Sequence, residues 1–191
     1  MGTIPELLDE AVKSHGHLTA LATRRGYRLL RWTYLDVQLL SRRIATYLQR
    51  RGVEKGDRVI LWAPNSPEWV AAFFGCARAG AIVVPLDLRT PVGLARKVVD
   101  QTQPKLALLS TLTAEDAEGL GVPHLKLEDL DLLLAEVGNP PKSVSVQPED
   151  VAEVVFTSGA TGDPKGVILT HRNIVSNVRA ATAAVPSVPS Y

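Results

Sequence analysis

The sequence predicts an α/β protein, a three-layer lobe with a largely parallel sheet and helices on both faces of that sheet. Several apolar runs are continuous rather than alternating, as in strands that are buried on both faces. One helical segment lies between two such runs within about 30 residues, which is the spacing of a βαβ unit. Hydrophobic residues make up 46% of the 191 residues and charged residues 21%, so a packed globular core is expected.

Helical patterns dominate the first part of the chain. Residues 5–14 show helical spacing, and a clearer helix is predicted to begin after Thr33, because Thr33 and Asp36 are typical of a capping box. Apolar residues then recur every four positions on one face: Leu40, Ile44 and Leu48. Gly52 follows a pair of arginines, a combination that favours the end of a helix.

The predicted βαβ unit follows this helix. Its first strand is "GDRVILWA", residues 56–63, and its second strand is "AIVVPLD", residues 81–87. Between them Ser66 can cap a helix that has Pro67 at its first position, and Gly80 is predicted to end that helix. Two strands joined by a helix at this spacing run parallel, so the sheet is predicted to be parallel here.

The α/β alternation continues beyond that unit. Thr90 and Pro91 are predicted to start another helix, and "KLALLS", residues 105–110, predicts a further strand. Residues 138–147 are polar and contain two prolines, so we interpret them as a surface connection.

Composition excludes several classes of protein. The net charge of +1 gives no global field that would attract nucleic acid or an anionic membrane. A single cysteine, Cys76, allows no internal disulfide; its apolar neighbours predict a buried inert thiol, and a cytoplasmic location is expected. The most apolar stretch, residues 69–86, contains Arg78, Gly80 and Pro85, so a helix, a turn and a strand explain it better than a transmembrane span.

Eight arginines fall within residues 24–51 and include three Arg-Arg pairs. A basic binding stripe is one interpretation of this cluster. The pairs are predicted to flank turns or to lie on the polar face of a helix, so a solvated surface is favoured instead.

The segment "VVFTSGATGDPKGVILTH", residues 154–171, places a flexible, polar and cationic loop between two β-branched runs. We expect these runs to form two strands, near residues 153–156 and 167–169, that pair antiparallel. Its glycines allow positive φ and a close approach of the backbone to a ligand: Gly159, Gly162 and Gly166. Its hydroxyl groups join backbone N–H groups as donors that suit oxyanions: Thr157, Ser158 and Thr161. Lys165 adds one positive charge, so a polyphosphate is the favoured ligand.

Two other interpretations of this loop were weighed. A Walker A loop requires glycine before its lysine and a helix after it, whereas Pro164 precedes Lys165 here and a β-branched run follows. We therefore reject Walker A. A plain glycine-rich hairpin turn is the simpler alternative, but such turns need two to five residues and this loop has about nine.

A helix is predicted to start after the loop, where Thr170, His171 and Asn173 have the character of a helix N-terminus. His171 has the residue type of a catalytic base. A capping or surface role is favoured for it.

The loop segment "FTSGATGDPKGV" resembles the signature Thr-Ser-Gly-x-Thr-Gly-x-Pro-Lys-Gly of the adenylate-forming enzymes. "WTYLDV", residues 32–37, and "ARAGAIVVPLD", residues 77–87, resemble two further elements of that family, in the family's order. Ala160 departs from the usual Ser or Thr, which removes one hydroxyl donor but leaves the backbone donors in place. Residues 87–90, Asp-Leu-Arg-Thr, look more like bacterial acyl-CoA synthetases than peptide-synthetase domains.

The resemblance implies an ATP-dependent, AMP-forming ligase that activates a carboxylic acid, a fatty acid by this likeness, and passes the acyl group to CoA. ATP, Mg²⁺ and CoA are the implied cofactor, metal and co-substrate. The resemblance also implies which residues bind the phosphates. They are the loop residues Thr157, Ser158, Gly159, Ala160, Thr161 and Gly162, and Lys165. Lys165 would screen charge on the leaving pyrophosphate. Thr157 falls where some relatives place a hydroxyl near Mg²⁺, although a structural hydrogen bond is the favoured role for it.

The resemblance also implies a domain organisation. Residues 1–191 would be the N-terminal portion of the AMP-binding large domain of an acyl-CoA synthetase-like protein, with a βαβ lobe in 1–140 and the phosphate-loop hairpin and its following helix in 148–191. The family's motifs for adenine, ribose and the catalytic lysine of the C-terminal lobe do not occur in the sequence. This portion alone is therefore expected to be inactive and to self-associate through apolar surface that other lobes would cover. The alternatives are a stand-alone nucleotide- or phosphate-binding module and an interaction domain.

Overall fold

The computed structural model describes residues 2–130, 142–157 and 163–184. The helices in this part of the chain are α1 (Ile4–His15), α2 (Tyr34–Arg50), α3 (Pro67–Ala79), α4 (Val92–Thr102), α5 (Thr111–Glu118) and α6 (His171–Ala184), with a 3₁₀ turn at Leu127–Asp129. The strands are β1 (Thr19–Arg25), β2 (Arg28–Thr33), β3 (Arg58–Trp62), β4 (Ile82–Leu86), β5 (Leu106–Leu109), β6 (His124–Lys126), β7 (Val151–Thr157) and β8 (Lys165–Thr170).

Six strands form the central sheet in the order β6-β5-β3-β4-β7-β8. Every neighbouring pair in it is parallel except β7 with β8, which is antiparallel. Helices α2 and α3 pack on one face of the sheet, and α4 and α5 pack on the other. The predicted three-layer α/β lobe with a largely parallel sheet is therefore confirmed.

The predicted caps account for where the helices start and stop. Thr33 accepts from the backbone N–H of Asp36 at 3.1 Å while the Asp36 carboxylate accepts from the N–H of Thr33 at 2.8 Å, which is the capping box at the start of α2. Ser66 accepts from the N–H of Trp69 at 3.1 Å at the start of α3. That helix ends at Gly80, whose φ of 73° is left-handed, the conformation in which glycine is favoured.

Helices α2 and α3 approach each other closely at Gly75. A Cβ atom there would lie 2.7 Å from Cγ2 of Ile44 and 3.1 Å from the carbonyl oxygen of Ser41, so any larger residue would push the helices apart. The next residue, Cys76, is fully buried, and burial raises the pKa of its thiol to about 12. The predicted inert thiol is consistent with this position.

Helix α1 is held to α2 and α3 by a polar network. The Asp9 carboxylate accepts hydrogen bonds from Arg78 on α3 and, at 2.6 Å, from the amide of Gln38 on α2, and Arg78 also donates to the Ser41 hydroxyl at 3.0 Å. Burial alone would raise the pKa of Asp9, but the hydrogen bonds from Arg78 and Gln38 lower it below its ordinary value. The network keeps a charged pair satisfied between three packed helices.

Several elements were not predicted from the sequence. Strands β1 and β2, which form a separate two-stranded hairpin, were missed. Arg24 and Arg25 are the last residues of β1 and flank its turn, as predicted for the Arg-Arg pairs. A two-residue turn with Gly26 at a φ of 58° joins these strands, and that glycine was the available signal. Helix α5 and strand β6 were also missed. The helix predicted to start at Thr90 and Pro91 is present as α4, with Pro91 as its N-cap.

Residues 142–147 form the described part of the predicted surface connection, and they have no regular secondary structure there. Residues 131–141 lie outside the described residues. Within the described ranges, no helix is both long enough and apolar enough to span a membrane.

Candidate phosphate site at the hairpin of strands β7 and β8

Two antiparallel strands flank the predicted phosphate loop. Val155 pairs with Val167, and Thr157 pairs with Lys165 at the loop end of the hairpin, which we call the hairpin mouth. This confirms the predicted antiparallel strands on either side of the loop. Ser158, Gly159, Ala160, Thr161 and Gly162 lie outside the described residues, so the phosphate-binding roles given to them stay predictions.

The hairpin mouth lies at one particular edge of the sheet. Because β7 runs parallel to β4, and β4 parallel to β3, the loop leaves the sheet at the same edge as the segments that follow those two strands. A cleft of about 590 Å³ opens there. It is lined by Trp69, Arg89 and Phe156, together with neighbouring residues of the same segments. Ligands of open α/β sheets bind beyond the carboxyl ends of the strands, so this edge is the expected place for one.

Lys165 lies on a strand rather than within the loop. We placed it inside the loop, whereas it is the first residue of β8 and lies opposite Thr157 in the strand register. Its side chain is exposed. The following helix, α6, begins only at His171, so no helix N-terminus follows the lysine and the rejection of Walker A is confirmed.

Thr157 stands at the other side of the hairpin mouth. Its side chain is exposed, and its hydroxyl donates to the carbonyl oxygen of Lys165 at a long 3.5 Å. A hydroxyl and an ammonium group across one mouth fit a phosphate. They do not by themselves fit Mg²⁺, which prefers carboxylate oxygens. Among the described residues, no group of three or more His, Cys, Asp or Glu side chains could hold a metal ion.

Two side chains of helix α4 contact the C-terminal end of the loop. Lys97 forms a 2.8 Å ion pair with Asp163, and the amide of Gln101 donates to the carbonyl oxygen of Pro164 at 3.3 Å. The hydrogen bond from Lys97 lowers the pKa of Asp163 below its ordinary value. These contacts sit next to Lys165 and so help set where its backbone lies. Sequence reasoning missed both α4 residues, because more than sixty positions separate them from the loop.

Gly166 has a different role from the one predicted. It is not among the described residues with positive φ, so flexibility is not what requires glycine there. A Cβ atom at this position would lie 2.9 Å from Cγ1 of Val154 and 3.2 Å from Cζ of Phe156. The glycine instead lets β8 pack closely over the side chains of β7.

His171 is buried rather than at the surface, so the expected surface role was wrong. Its Nδ1 atom accepts a hydrogen bond from the backbone N–H of Ile4 at 3.2 Å, which ties α6 to the first turn of α1. Burial lowers the pKa of this imidazole, against the opposing effect of the nearby Asp150 carboxylate. The helix cap is supplied by Thr170, whose hydroxyl accepts from the N–H of Asn173 at 3.2 Å. His171 therefore has a structural position.

Comparison with known proteins places this chain in a family. The family model described as "AMP-binding enzyme" matches residues 8–189. The hybrid PKS-NRPS synthetase thnA of Trichoderma harzianum is 32% identical over 94% of this chain and 4% of its own length. The crotonobetaine/carnitine–CoA ligase of Escherichia coli O6:K15:H31 is 31% identical over 88% of this chain and 36% of its own length.

Structural comparison agrees. The solved complex of VinN with L-aspartate superposes with a TM-score of 0.85 at 26% identity, over 96% of this chain and 48% of that one. The chain thus spans well under half the length of both curated relatives named above. A family model that covers nearly the whole chain, together with the signature at the mouth of the β7–β8 hairpin, shows that this protein belongs to the AMP-binding enzyme family.

Proposed function

We propose that the hairpin of β7 and β8 binds the β- and γ-phosphates of ATP during AMP-forming activation of a carboxylic acid. The observation that carries the proposal is the pairing of Lys165 with Thr157 at the mouth of the loop, where a cation and a hydroxyl are both exposed. The loop residues Ser158, Gly159, Ala160, Thr161 and Gly162 would supply the remaining donors. Membership of the AMP-binding enzyme family supports ATP as the ligand.

The proposed chemistry is a displacement at the α-phosphorus. A carboxylate oxygen of the acid forms a bond to that phosphorus, the bond to the bridging oxygen breaks, and pyrophosphate leaves with the electron pair. Catalysis then consists mainly of positioning and of neutralising charge as it develops. Lys165 is assigned the second task, because its ammonium group adjoins the loop that would hold the leaving group. A thiol, CoA in this proposal, would take the acyl group from the adenylate.

The acid is proposed to be a fatty acid. The likeness of residues 87–90 to bacterial acyl-CoA synthetases supports this choice. The match to a crotonobetaine/carnitine–CoA ligase over 88% of the chain supports CoA as the acceptor, not the identity of the acid. An amino acid is the alternative, since VinN has been solved with L-aspartate. ATP is proposed to enter as its magnesium complex. We propose Thr157 only as a minor contact to that ion, and none of the chemical steps above requires it.

Binding can be tested on this chain directly. In the ¹⁵N-labelled protein, titration with ATP or pyrophosphate should shift amide resonances of residues 157–166 with a dissociation constant of about 1 mM or weaker, since a lone phosphate site facing water gains little energy. Lys165→Ala should weaken this binding, whereas Lys105→Ala, which removes an exposed lysine beside β5, should not. Shifts confined to other elements would refute the phosphate site.

Catalysis is tested by acid-dependent exchange of pyrophosphate into ATP. We expect none from residues 1–191, and we expect exchange with a fatty acid from any longer form that the gene encodes. In that longer form Lys165→Ala should slow exchange by about 1–3 kcal/mol in activation free energy, the range of a hydrogen bond to a charged group. Phosphate binding without exchange in every form would favour the stand-alone phosphate-binding module instead.

Self-association is proposed through the outer strand. Strand β8 ends the sheet, and three large apolar side chains are exposed on it and on the helix that follows: Val167, Ile168 and Val178. Uncovered apolar surface at a free strand edge favours pairing with another chain. Light scattering that shows only monomer over a wide concentration range would argue against it. A cytoplasmic location is proposed with this function.

A further inference from the structure

The near-neutral net charge of this chain hides a strong local asymmetry. Residues 11–53 contain nine Lys and Arg side chains and a single acidic one, Asp36, although the chain as a whole has 21 basic and 20 acidic residues. Charge asymmetry of this kind within one chain suggests an anionic partner for the basic part.

The β1–β2 hairpin presents part of this charge on one face. In the strand register Arg24 lies opposite Leu29, and Ala22 lies opposite Arg31, so these four side chains point to the same side. Arg24, Leu29 and Arg31 are all exposed, Leu29 by 53%. Tyr27 is completely exposed in the turn at the tip.

Helix α2 extends this surface. Leu39 is 50% exposed, and a groove of about 430 Å³ between α2 and β2 is lined by this leucine with Arg31, Trp32, Asp36 and Arg43. We call the surface made by Arg24, Tyr27, Leu29, Arg31 and Leu39 the basic hairpin surface. It combines positive charge with large exposed apolar side chains.

The two arginines of this surface have no anionic partner among the described residues. No hydrogen bond or ion pair holds the side chain of Arg24 or Arg31 in that part of the chain. The one acidic group of the region, Asp36, caps α2 by accepting from the N–H and the hydroxyl of Thr33. The surface therefore keeps a positive potential that an anionic ligand can use.

We propose that the basic hairpin surface docks the protein on an anionic lipid membrane as a peripheral protein. Arginines near a membrane surface gain electrostatic energy from anionic headgroups, and one further apolar contribution is needed for stable attachment. Tyr27, Leu29 and Leu39 can supply that contribution by entering the headgroup region. Aliphatic side chains between the arginines favour lipid over nucleic acid, whose phosphates need only the cations.

The test is co-sedimentation of the 191-residue chain with vesicles of phosphatidylcholine, with and without phosphatidylserine. We expect binding only to the vesicles that contain phosphatidylserine, and we expect added salt to weaken it, because the Debye length shortens. Equal binding to both vesicle types, no binding to either, or binding that is insensitive to salt would overturn the proposal.

Matched variants locate the surface. Arg24→Gln with Arg31→Gln should lower the partition coefficient about 30-fold, the effect of losing two surface charges. Tyr27→Ser with Leu29→Ser keeps the charge and should lower it about tenfold. The control, Arg96→Gln with Arg179→Gln on α4 and α6, loses the same net charge away from the hairpin and should bind like the parent.

Two further results would contradict the proposal. One is an equal loss of binding in the control variant, which would mean that net charge alone matters. The other is tight, salt-dependent binding of a single-stranded RNA oligonucleotide that the Arg24 and Arg31 changes abolish while vesicle binding is absent, which would assign the surface to nucleic acid. Circular dichroism of every variant verifies that the exposed substitutions leave the fold intact.

Discussion

Two parts of the same sheet differ sharply in how they are covered. Strands β3 and β5 are almost entirely buried, because crossover helices pack on both faces of a parallel sheet. Strands β7 and β8 are half-buried or exposed along most of their length, and β8 is an edge strand. β7 also carries an ionisable residue, Glu153, and burial raises the pKa of its carboxyl group. β5 has no ionisable residue. The buried core and the proposed phosphate site therefore lie in different strands of one sheet.

The largest expected difference is in the free energy of unfolding, between one aliphatic truncation in β5 and one in β8. Leu108→Ala in β5 should lower the free energy of unfolding by about 3 kcal/mol, because Leu108 is fully buried and the substitution leaves a cavity. Ile168→Ala in β8 should change it by less than about 0.5 kcal/mol, because its side chain is 63% exposed. Urea unfolding measures both, and similar losses would remove the distinction between core and hairpin.

Glycine replacements sharpen the comparison. Gly75→Ala should cost about 2 kcal/mol, because the new Cβ meets Ile44 at its branched carbon, between two packed helices. Gly166→Ala should cost less than about 1 kcal/mol, because it meets the ends of side chains on the half-exposed β7. Gly93→Ala on α4, where nothing lies within 4 Å, is the control and should be neutral or slightly stabilising. A larger cost at Gly166 than at Gly75 would reverse the interpretation.

The free energy of unfolding should depend on pH through His171, which joins the helix after β8 to α1. Its folded-state pKa is lowered by burial, so the unfolded chain binds the proton more readily. The stability that the neutral ring contributes is fully present above its ordinary pKa of 6.5 and is lost as the pH falls below that value. The urea midpoint should therefore drop between about pH 7.5 and about pH 5.5.

A variant isolates that contribution. His171→Ala should cost roughly 1–2 kcal/mol at neutral pH, because the Ile4 N–H loses its acceptor. It should also flatten the loss of stability in this window, since Asp9 and Asp150 have lowered pKa values and titrate in more acidic solution. Glu153 has a raised pKa, so its protonation as the pH falls favours the folded state and cannot produce that loss. A pH dependence that persists unchanged in the variant would assign it to other groups.

The smallest effect concerns the contact between α4 and the loop. Lys97→Gln should leave the unfolding midpoint unchanged, because the ion pair with Asp163 is at the surface. It should speed hydrogen exchange of the amides near Lys165 a few-fold, because the ion pair from α4 to Asp163 is lost. Lys105→Gln is the matched control. Exchange rates that do not change would show that Gln101 and the strand pairing suffice.

Local sequence patterns determined much of this fold. The capping box of Thr33 with Asp36, the cap at Ser66 and the stop at Gly80 act over three or four residues, so they can be read without the rest of the chain. Continuous apolar runs predicted β3, β4 and β5 for the same reason. The β-branched runs likewise predicted the two strands that flank the loop.

Only the tertiary structure decided which distant residues meet. The contact of Lys97 with Asp163, the burial of His171 against Ile4 and the close approach at Gly75 all join positions that are far apart in the chain. No local periodicity encodes such contacts, because they depend on how the helices are placed on the sheet. The same holds for the basic hairpin surface: the arginines were visible in the sequence, but the strand register gave them a common face with Leu29. Charge and propensity are properties of residues, whereas a surface or a site is a property of their arrangement.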